Sequence, residues 1–117
     1  MRENVVKNKS FDFALRIIKL NQYLVSDKKE FVISKQILRS GTSIGANVRE
    51  GEHAESKADF IHKLSISLKE ANETEYWLEL LNKSGYIEDK MYNSLISDCS
   101  ELLKLLITII KSAKTKK

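Results

Sequence analysis

Apolar residues recur every three or four positions along almost the whole chain, and no proline interrupts them. This spacing places side chains on one face of an α-helix, whereas a strand would need alternation with a period of two. No segment alternates long enough to predict a strand. The sequence therefore predicts an all-α fold, and the number of helices depends on where the pattern breaks.

The pattern breaks at three places and predicts four helices. The clearest break precedes the third helix, where Ser56 and Asp59 form a capping-box pattern before the apolar run that begins at Phe60. Gly85 follows that helix and can adopt the left-handed conformation that closes helices. The predicted helices span about residues 10–26, 34–53, 57–83 and 88–113, and a basic tail follows at residues 114–117.

Short connections between these helices predict their arrangement. A few loop residues let consecutive helices run only antiparallel to each other. A chain of 117 residues is long enough to bury one core without a disulfide or a structural metal. We therefore predict a single antiparallel up-down-up-down four-helix bundle over residues 1–117.

Cysteine usage and the N-terminal sequence bear on the compartment. A single cysteine cannot form an internal disulfide, and the first ten residues contain no apolar run that would serve as a signal peptide. No stretch approaches the roughly 18 uninterrupted apolar residues of a membrane-spanning helix. We expect a cytoplasmic protein with no membrane partner.

Charge is distributed unevenly along the chain. Residues 1–50 contain ten Lys and Arg against five Asp and Glu, residues 51–100 contain five against ten, and residues 101–117 contain five against one. Basic ends and an acidic middle fit either a polyanionic partner or complementary packing between unlike helices or subunits. Charge alone favours the second interpretation.

The fourth predicted helix carries more apolar surface than one core requires. Its apolar residues between positions 102 and 110 cover an arc of roughly 200°, whereas a core-facing stripe needs about 100°. Burying one further large apolar side chain gains roughly 1.5 to 3 kcal/mol. We therefore expect a homo-oligomer whose interface includes Trp77, Leu80, Leu105 and Ile107. The alternative is a lone subunit in which neighbouring helices cover both sides of this arc.

Glycine is concentrated in the second predicted helix, which contains or ends with Gly41, Gly45 and Gly51. Each interior glycine costs about 1 kcal/mol relative to alanine, so the cluster needs a structural reason. Close approach of a neighbouring helix backbone is the usual one. We predict a tight helix crossing along this helix.

One pattern imitates a serine hydrolase. The run from Gly41 to Gly45 matches the G-x-S-x-G nucleophile elbow, with Ser43 at the position of the nucleophile. That motif requires a strand before it and a helix after it, within an α/β sheet. The preceding residues here are predicted to be helical, so Ser43 is interpreted as a helix residue and no catalytic site is predicted.

A second pattern imitates a di-metal site. The spacing of Glu50 with His53 and of Asp59 with His62 resembles the carboxylate and histidine pairs of metal-binding bundles. A complete site also needs an inward carboxylate from each of the two other helices, and the first helix offers only Asp12. We therefore predict no metal site and no cofactor.

Three stretches carry a resemblance to a known family. They are Ser43 to Gly51, Phe60 to Leu64, and Lys69 to Thr74 followed by Tyr76-Trp77-Leu78. Over about residues 10–112 the chain resembles the small bacterial four-helix-bundle proteins named after intervening sequences in 23S ribosomal RNA genes. The Ser-Ile-x-x-Asn-x-x-Glu-Gly string is the most specific part, because several positions must coincide. Family members often carry proline before the second helix, where this chain has Glu30-Phe31-Val32.

The resemblance implies a homopentameric ring of bundles, a bacterial cytoplasmic origin and no known enzymatic activity. It also implies a link to RNA, because a related ring-forming accessory protein of diversity-generating retroelements uses a basic surface to engage nucleic acid and a reverse transcriptase. A ring of subunits would also account for the wide apolar arc of the fourth helix.

These observations predict a non-enzymatic oligomeric adaptor that binds structured RNA or a ribonucleoprotein. The alternative is a protein-binding scaffold in which the same charges pair between subunits. Aromatic residues are sparse on the basic faces, which argues against single-strand recognition by stacking. The residues predicted to contact phosphates are Arg16, Lys19, Lys35, Arg39, Arg49, Lys114, Lys116 and Lys117.

Overall fold

Four helices and no strand make up the part of the chain that the computed structural model describes, which is the backbone of residues 2–116 and the side chains of residues 4–116. The helices are α1 (Arg2–Ser26), α2 (Ile33–Glu52), α3 (Lys57–Lys83) and α4 (Asp89–Thr115). Each helix packs on two neighbours, so α1 lies diagonally across from α3 and α2 lies diagonally across from α4. This confirms the predicted antiparallel up-down-up-down four-helix bundle.

The core is built from one apolar stripe on each helix. Its largest fully buried side chains are Phe13, Ile17, Leu24, Ile37, Ile44, Leu64, Leu78, Leu81, Leu102 and Leu106. Between α2 and α3 the core also contains small hydroxyl groups, whose hydrogen bonds satisfy them without water. Ser67 Oγ donates to the Ile44 carbonyl at 2.8 Å, and Thr74 Oγ1 donates to Ser40 Oγ at 2.9 Å.

The first helix begins at Arg2, eight residues before the predicted start at Ser10. Ser10 is a buried residue inside the helix, and its Oγ donates to the Lys7 carbonyl at 3.1 Å instead of capping the helix. Val6 is also buried, so the preceding turns contribute to the core. The other predicted helix ends differ from the observed ones by at most two residues, and Lys114 therefore belongs to α4 and not to a tail.

The predicted signals at both ends of α3 are confirmed. Ser56 Oγ accepts a hydrogen bond from the Asp59 N–H at 3.0 Å, and the Asp59 carboxylate accepts one from the Glu55 N–H at 3.3 Å. Gly85 has a φ of 87° in the turn after the helix. The turn from α3 into α4 is therefore determined by local sequence.

Glu30 begins α2 in a way that the sequence does not reveal. Its buried carboxylate accepts hydrogen bonds from the N–H groups of Val32, Ile33 and Ser34 at 3.2, 2.9 and 2.6 Å. These donors lack carbonyl partners within the helix, so the carboxylate acts as the cap. Ser34 Oγ also donates to the Glu30 carbonyl at 2.8 Å, so the side chain of each residue bonds to the backbone of the other.

The predicted tight crossing lies between α1 and α2. A Cβ atom at Gly41 would lie 2.7 Å from Ile17 Cγ1, and one at Gly45 would lie 3.3 Å from the Ser10 carbonyl oxygen. Gly51 instead faces α3, where a Cβ would lie 3.2 Å from Leu64 Cδ2. The glycines therefore let α2 approach both of its neighbours closely.

Replacing Gly41 with alanine should destabilise the bundle by about 1 kcal/mol in urea unfolding. Alanine is the better helix former by about 1 kcal/mol, but the new methyl would overlap Ile17, and overpacking costs about 1 to 3 kcal/mol. An Ile17→Ala background removes the two nearest atoms, so Gly41→Ala should be neutral or stabilising there. The same loss in both backgrounds would contradict this contact.

The Glu30 cap predicts a pH-dependent stability. Burial acts to raise the pKa of Glu30, but the hydrogen bonds from Ile33, Ser34 and Val32 outweigh it and lower the pKa. A carboxyl group whose folded pKa lies below its unfolded value of about 4.3 stabilises the fold above that pH. This stabilisation is lost as the pH falls through the folded pKa.

We therefore expect Glu30→Gln to lose about 1 kcal/mol of unfolding free energy at neutral pH, and to differ less from the wild type as the medium becomes acidic. Urea unfolding between about pH 3 and pH 7 measures this difference. Glu88→Gln is the control, because Glu88 precedes α4 without a side-chain capping bond. A loss of the same size at every pH would argue against the charged cap.

Candidate interaction surfaces

The G-x-S-x-G match lies entirely within α2. Ser43 Oγ donates to the Arg39 carbonyl at 2.6 Å, as hydroxyl groups inside helices commonly do. A nucleophile elbow needs a sharp turn between a strand and a helix, and α2 continues unbroken from Ile33 to Glu52. Ser43 is therefore a helix residue, as predicted, and not an activated nucleophile.

The carboxylate and histidine pairs near the turn between α2 and α3 form no metal cluster. Glu50 Oε1 lies 2.9 Å from Lys63 Nζ, and this hydrogen bond and charge raise the pKa of Lys63. His53 and His62 are exposed. Among the described residues, no three His, Cys, Asp or Glu side chains come together in a way that could hold a metal ion.

Cys99 is packed between α4 and α3. Its Sγ donates to the Ala71 carbonyl at 3.4 Å, and the side chain is fully buried. Burial, followed by the charges of Glu75 and Asp98, raises the pKa of Cys99 to about 12. The thiol therefore stays protonated at neutral pH, in agreement with its interpretation as a core residue.

Arg16 joins α1 to α4. Its Nη1 lies 2.7 Å from Asp98 Oδ2, and its Nη2 donates to Ser94 Oγ at 2.9 Å. Lys9 makes a similar link to Glu101 at 3.1 Å. The guanidinium of Arg16 is thus already engaged with Asp98 and Ser94 within the bundle.

Arg49 covers an aromatic ring on α1. Its guanidinium carbon lies 5.2 Å from the centroid of the Phe11 ring, within the range of a cation–π contact. Arg49 is exposed, and within residues 4–116 it forms no ion pair with a carboxylate. Its charge is therefore available to a partner.

The remaining predicted phosphate contacts that the structure describes are all exposed: Lys19, Lys35, Arg39, Lys114 and Lys116. Lys117 lies outside the described residues. Lys19 and Lys35 lie toward the end of the bundle where α1 ends and α2 begins, whereas Lys114 and Lys116 lie at the opposite end. Because the bundle is 50 Å long, these cations form two separate groups on one chain.

Acidic, aromatic and aliphatic residues form a half-buried stripe along α3; we call it the α3 outer stripe, and it comprises Ile66, Glu70, Glu73, Trp77 and Leu80. Trp77 Nε1 donates to Glu73 Oε1 at 3.3 Å, whereas Glu70 Oε1 is buried without a hydrogen-bond partner. Burial, followed by the charge of Glu73, raises the pKa of Glu70, although the nearby Arg39 and Lys69 act against this shift.

The four residues predicted for the oligomer interface do not share one surface. Trp77 and Leu80 belong to the α3 outer stripe and are half-buried. On α4, Leu105 is half-buried and continues the row of Asp98 and Glu101 that faces α1, whereas Ile107 lies about 200° further round the helix. Ile107 is 41% exposed. Neighbouring helices thus cover much of the wide apolar arc of α4, and the role of these residues in an interface stays a prediction.

A second apolar stripe, on α1, is more exposed, and none of its residues is among those predicted for the oligomer interface. We call it the α1 outer stripe; Phe11 and Leu15 are each 47% exposed and Ile18 is 40% exposed. Their spacing of four and three residues could have revealed it, since Phe13, Ile17, Leu20 and Leu24 form the buried stripe of the same helix.

In the described residues, no helix is long and apolar enough to cross a membrane.

The structure and the sequence agree with one family. A family model described as 23S rRNA-intervening sequence protein matches residues 2–108. The chain belongs to this family. The match to the 23S rRNA-intervening sequence family extends from the first turn of α1 into the last turns of α4, so it includes both outer stripes.

A crystal structure gives a second comparison for this member of the family. It is that of a protein with unknown function from the S23 ribosomal protein family of Bacteroides thetaiotaomicron VPI-5482. The two sequences are 64% identical, the alignment covers 95% of this chain and 99% of that chain, and the TM-score is 0.94. No curated protein matches the chain. The fold is thus shared in detail, and the comparisons assign no activity.

Proposed function

We propose that this protein is a non-enzymatic adaptor that forms a homo-oligomer and binds RNA or a ribonucleoprotein through its basic surface. The observation that carries the proposal is the α1 outer stripe, which exposes three large apolar side chains in one row. Contiguous apolar surface bordered by charged residues is typical of interaction sites. Arg49, with its exposed charge, lies directly against this row.

Burying the α1 outer stripe would supply part of the free energy of assembly. Complete burial of a side chain such as Phe or Leu gains roughly 1.5 to 3 kcal/mol, and 40–47% of each of these three side chains remains to be covered. The gain must exceed the loss of rotational and translational freedom on association. Ile107 and the exposed Tyr76 offer further apolar area on other faces.

Charge complementarity favours contact between unlike faces of successive copies. The α1 outer stripe borders Arg49, whereas the α3 outer stripe contains Glu70 and Glu73 beside Trp77. Contacts between unlike faces generate closed rings when the rotation matches. This arrangement would account for the basic first half and the acidic middle of the sequence, and the family resemblance implies five copies.

The exposed cations favour RNA as the partner of this protein. Lys19 and Lys35 form one group and Lys114 and Lys116 another, and a ring would repeat each group once in every copy. Repetition raises apparent affinity through avidity, and each phosphate contact adds a salt-dependent term. The description of the matched family names 23S rRNA, which makes a 23S rRNA fragment the first probe to test.

The alternative function is a protein-binding scaffold. Tyr76 is 54% exposed and meets Trp77 edge to face, with ring centroids 5.1 Å apart. Tyrosine and tryptophan are enriched in protein–protein interfaces. In this alternative a polypeptide partner would occupy the α3 outer stripe, and the exposed cations would pair only between subunits.

Light scattering on the purified protein tests the assembly. We expect the wild type to have a mass that is a multiple of the 13.4 kDa chain mass, five times if the family resemblance holds. Leu15→Glu/Ile18→Glu should reduce this mass, because it places charge on the α1 outer stripe. Ser65→Glu/Asn93→Glu is the charge-matched control on exposed polar residues of α3 and α4 and should not. A monomeric wild type would contradict the proposal.

Fluorescence anisotropy with a structured 23S rRNA fragment across a salt series tests the RNA contact. Lys35→Glu/Arg39→Gln should weaken binding and lower the salt slope by about 1 per lost phosphate contact. Arg39 becomes glutamine, because a third carboxylate beside Glu70 and Glu73 would disturb the bundle. The control Lys104→Glu/Lys111→Gln makes the same charge change on exposed residues of α4, diagonally across from α2.

Binding that is absent near physiological salt would contradict the RNA proposal. An equal loss in the control would also contradict it, because net charge and not the α2 surface would then determine the affinity. In either case the scaffold alternative gains support if Trp77→Ala abolishes capture of a polypeptide partner by the intact oligomer.

A further inference from the structure

A cavity of about 610 Å³ opens at the end of the bundle where α1 and α3 begin and α2 and α4 end. Small-molecule sites in proteins typically measure about 300 to 1,000 Å³. The floor of the cavity is formed by Val6, Val48, Leu64 and Ile109, one aliphatic side chain from each of the four helices. These four side chains are almost fully buried, and the half-buried Phe60 and Ala113 add accessible apolar surface to the lining. The cavity is separate from both outer stripes.

The mouth of this cavity is positively charged. Lys57 and Lys116 both line it, and Lys57 Nζ donates to the Lys116 carbonyl. In the part of the chain that the structure describes, neither ammonium group pairs with a carboxylate. Glu52 also lines the cavity, but its carboxylate lies 3.0 Å from Lys7 Nζ and is thereby neutralised.

The lining restricts the chemistry of an occupant. Side chains that meet on the floor are purely aliphatic, so the buried end of a ligand finds no hydrogen-bond partner there and must be apolar. The two lysines at the mouth favour a negative charge at the other end of the ligand. A neutral ligand would form no ion pair with these two ammonium groups, and they would repel a cation.

We infer that this cavity binds a free medium-chain aliphatic carboxylate, with its chain on the floor and its head group beside Lys57 and Lys116. This site goes beyond the proposed adaptor function and does not depend on it, because none of the floor residues is among those proposed for assembly or RNA contact. Lys116 is shared with the predicted phosphate contacts, whereas Lys57 is not, so Lys57 provides the cleaner test.

Isothermal titration of the full-length protein with octanoate and with 1-octanol tests the inference. We expect one octanoate per chain and weaker binding of 1-octanol. Lys57→Gln should lower octanoate affinity by about three- to fivefold, as expected for one partly exposed charge, and should leave the affinity for 1-octanol unchanged. Equal effects on both compounds, or no octanoate binding by the wild type, would overturn the inference.

A blocking variant locates the site. Ala113 lines the cavity, so Ala113→Phe should fill it and remove binding of both compounds. Ala58→Phe is the matched control, because Ala58 is exposed and lies nearby without being among the described lining residues. Octanoate binding that survives Ala113→Phe in a folded variant would overturn the inference. If Ala113→Phe does not fold, the effect of Lys57→Gln on octanoate affinity tests the site instead.

Flotation with phosphatidylglycerol vesicles tests whether the ligand is a membrane lipid instead of a free carboxylate. We expect no vesicle capture that octanoate competes away, because an acyl chain would have to leave the bilayer to reach the floor of the cavity. Vesicle capture that octanoate does compete away would show that the cavity takes a lipid chain and would contradict binding of a free carboxylate. Failure of any of these measurements leaves the RNA and mass measurements unaffected, so the two proposals are tested separately.

Discussion

Close contact between Ile17 and the backbone of Gly41 determines how closely α1 lies on α2. Any larger residue at position 41 would push α1 outward, because a Cβ there would lie 2.7 Å from Ile17 Cγ1. The same approach brings Phe11 under the guanidinium of Arg49. The lower helix propensity of glycine, about 1 kcal/mol per residue, is thus offset by packing that also shapes the outer surface.

The charges of this protein divide into those that hold helices together and those that face outward. Lys7, Lys9, Arg16 and Lys63 each pair with a carboxylate of a neighbouring helix. Such exposed pairs contribute little stability individually, and an external partner would have to compete with a carboxylate for each of these cations. The formal net charge of +4 therefore says little about binding, whereas the positions of Arg49 and Lys35 say more. The sequence alone does not show which cations are paired with carboxylates and which face outward, whereas the folded chain does.

The architecture could be predicted because it depends on local patterns. Helical spacing, the Ser56 cap and the left-handed Gly85 all act within a few residues, and the structure agrees at each. The start of α1 could not be located, because a serine inside a helix and a capping serine look the same in sequence. The interaction surfaces were harder to predict than the helices. The pairing of Arg16 with Asp98 joins distant parts of the chain, and the cover over Leu105 depends on how closely α1 approaches α4.

The buried thiol of Cys99 has a practical consequence for anyone who labels this protein. With its pKa raised to about 12 and its sulfur enclosed between α3 and α4, it does not compete for maleimide reagents while the bundle is folded. A cysteine introduced at any exposed position would then be the single reactive group on each copy. Dyes or spin labels could thus report whether copies associate, without prior removal of the native residue.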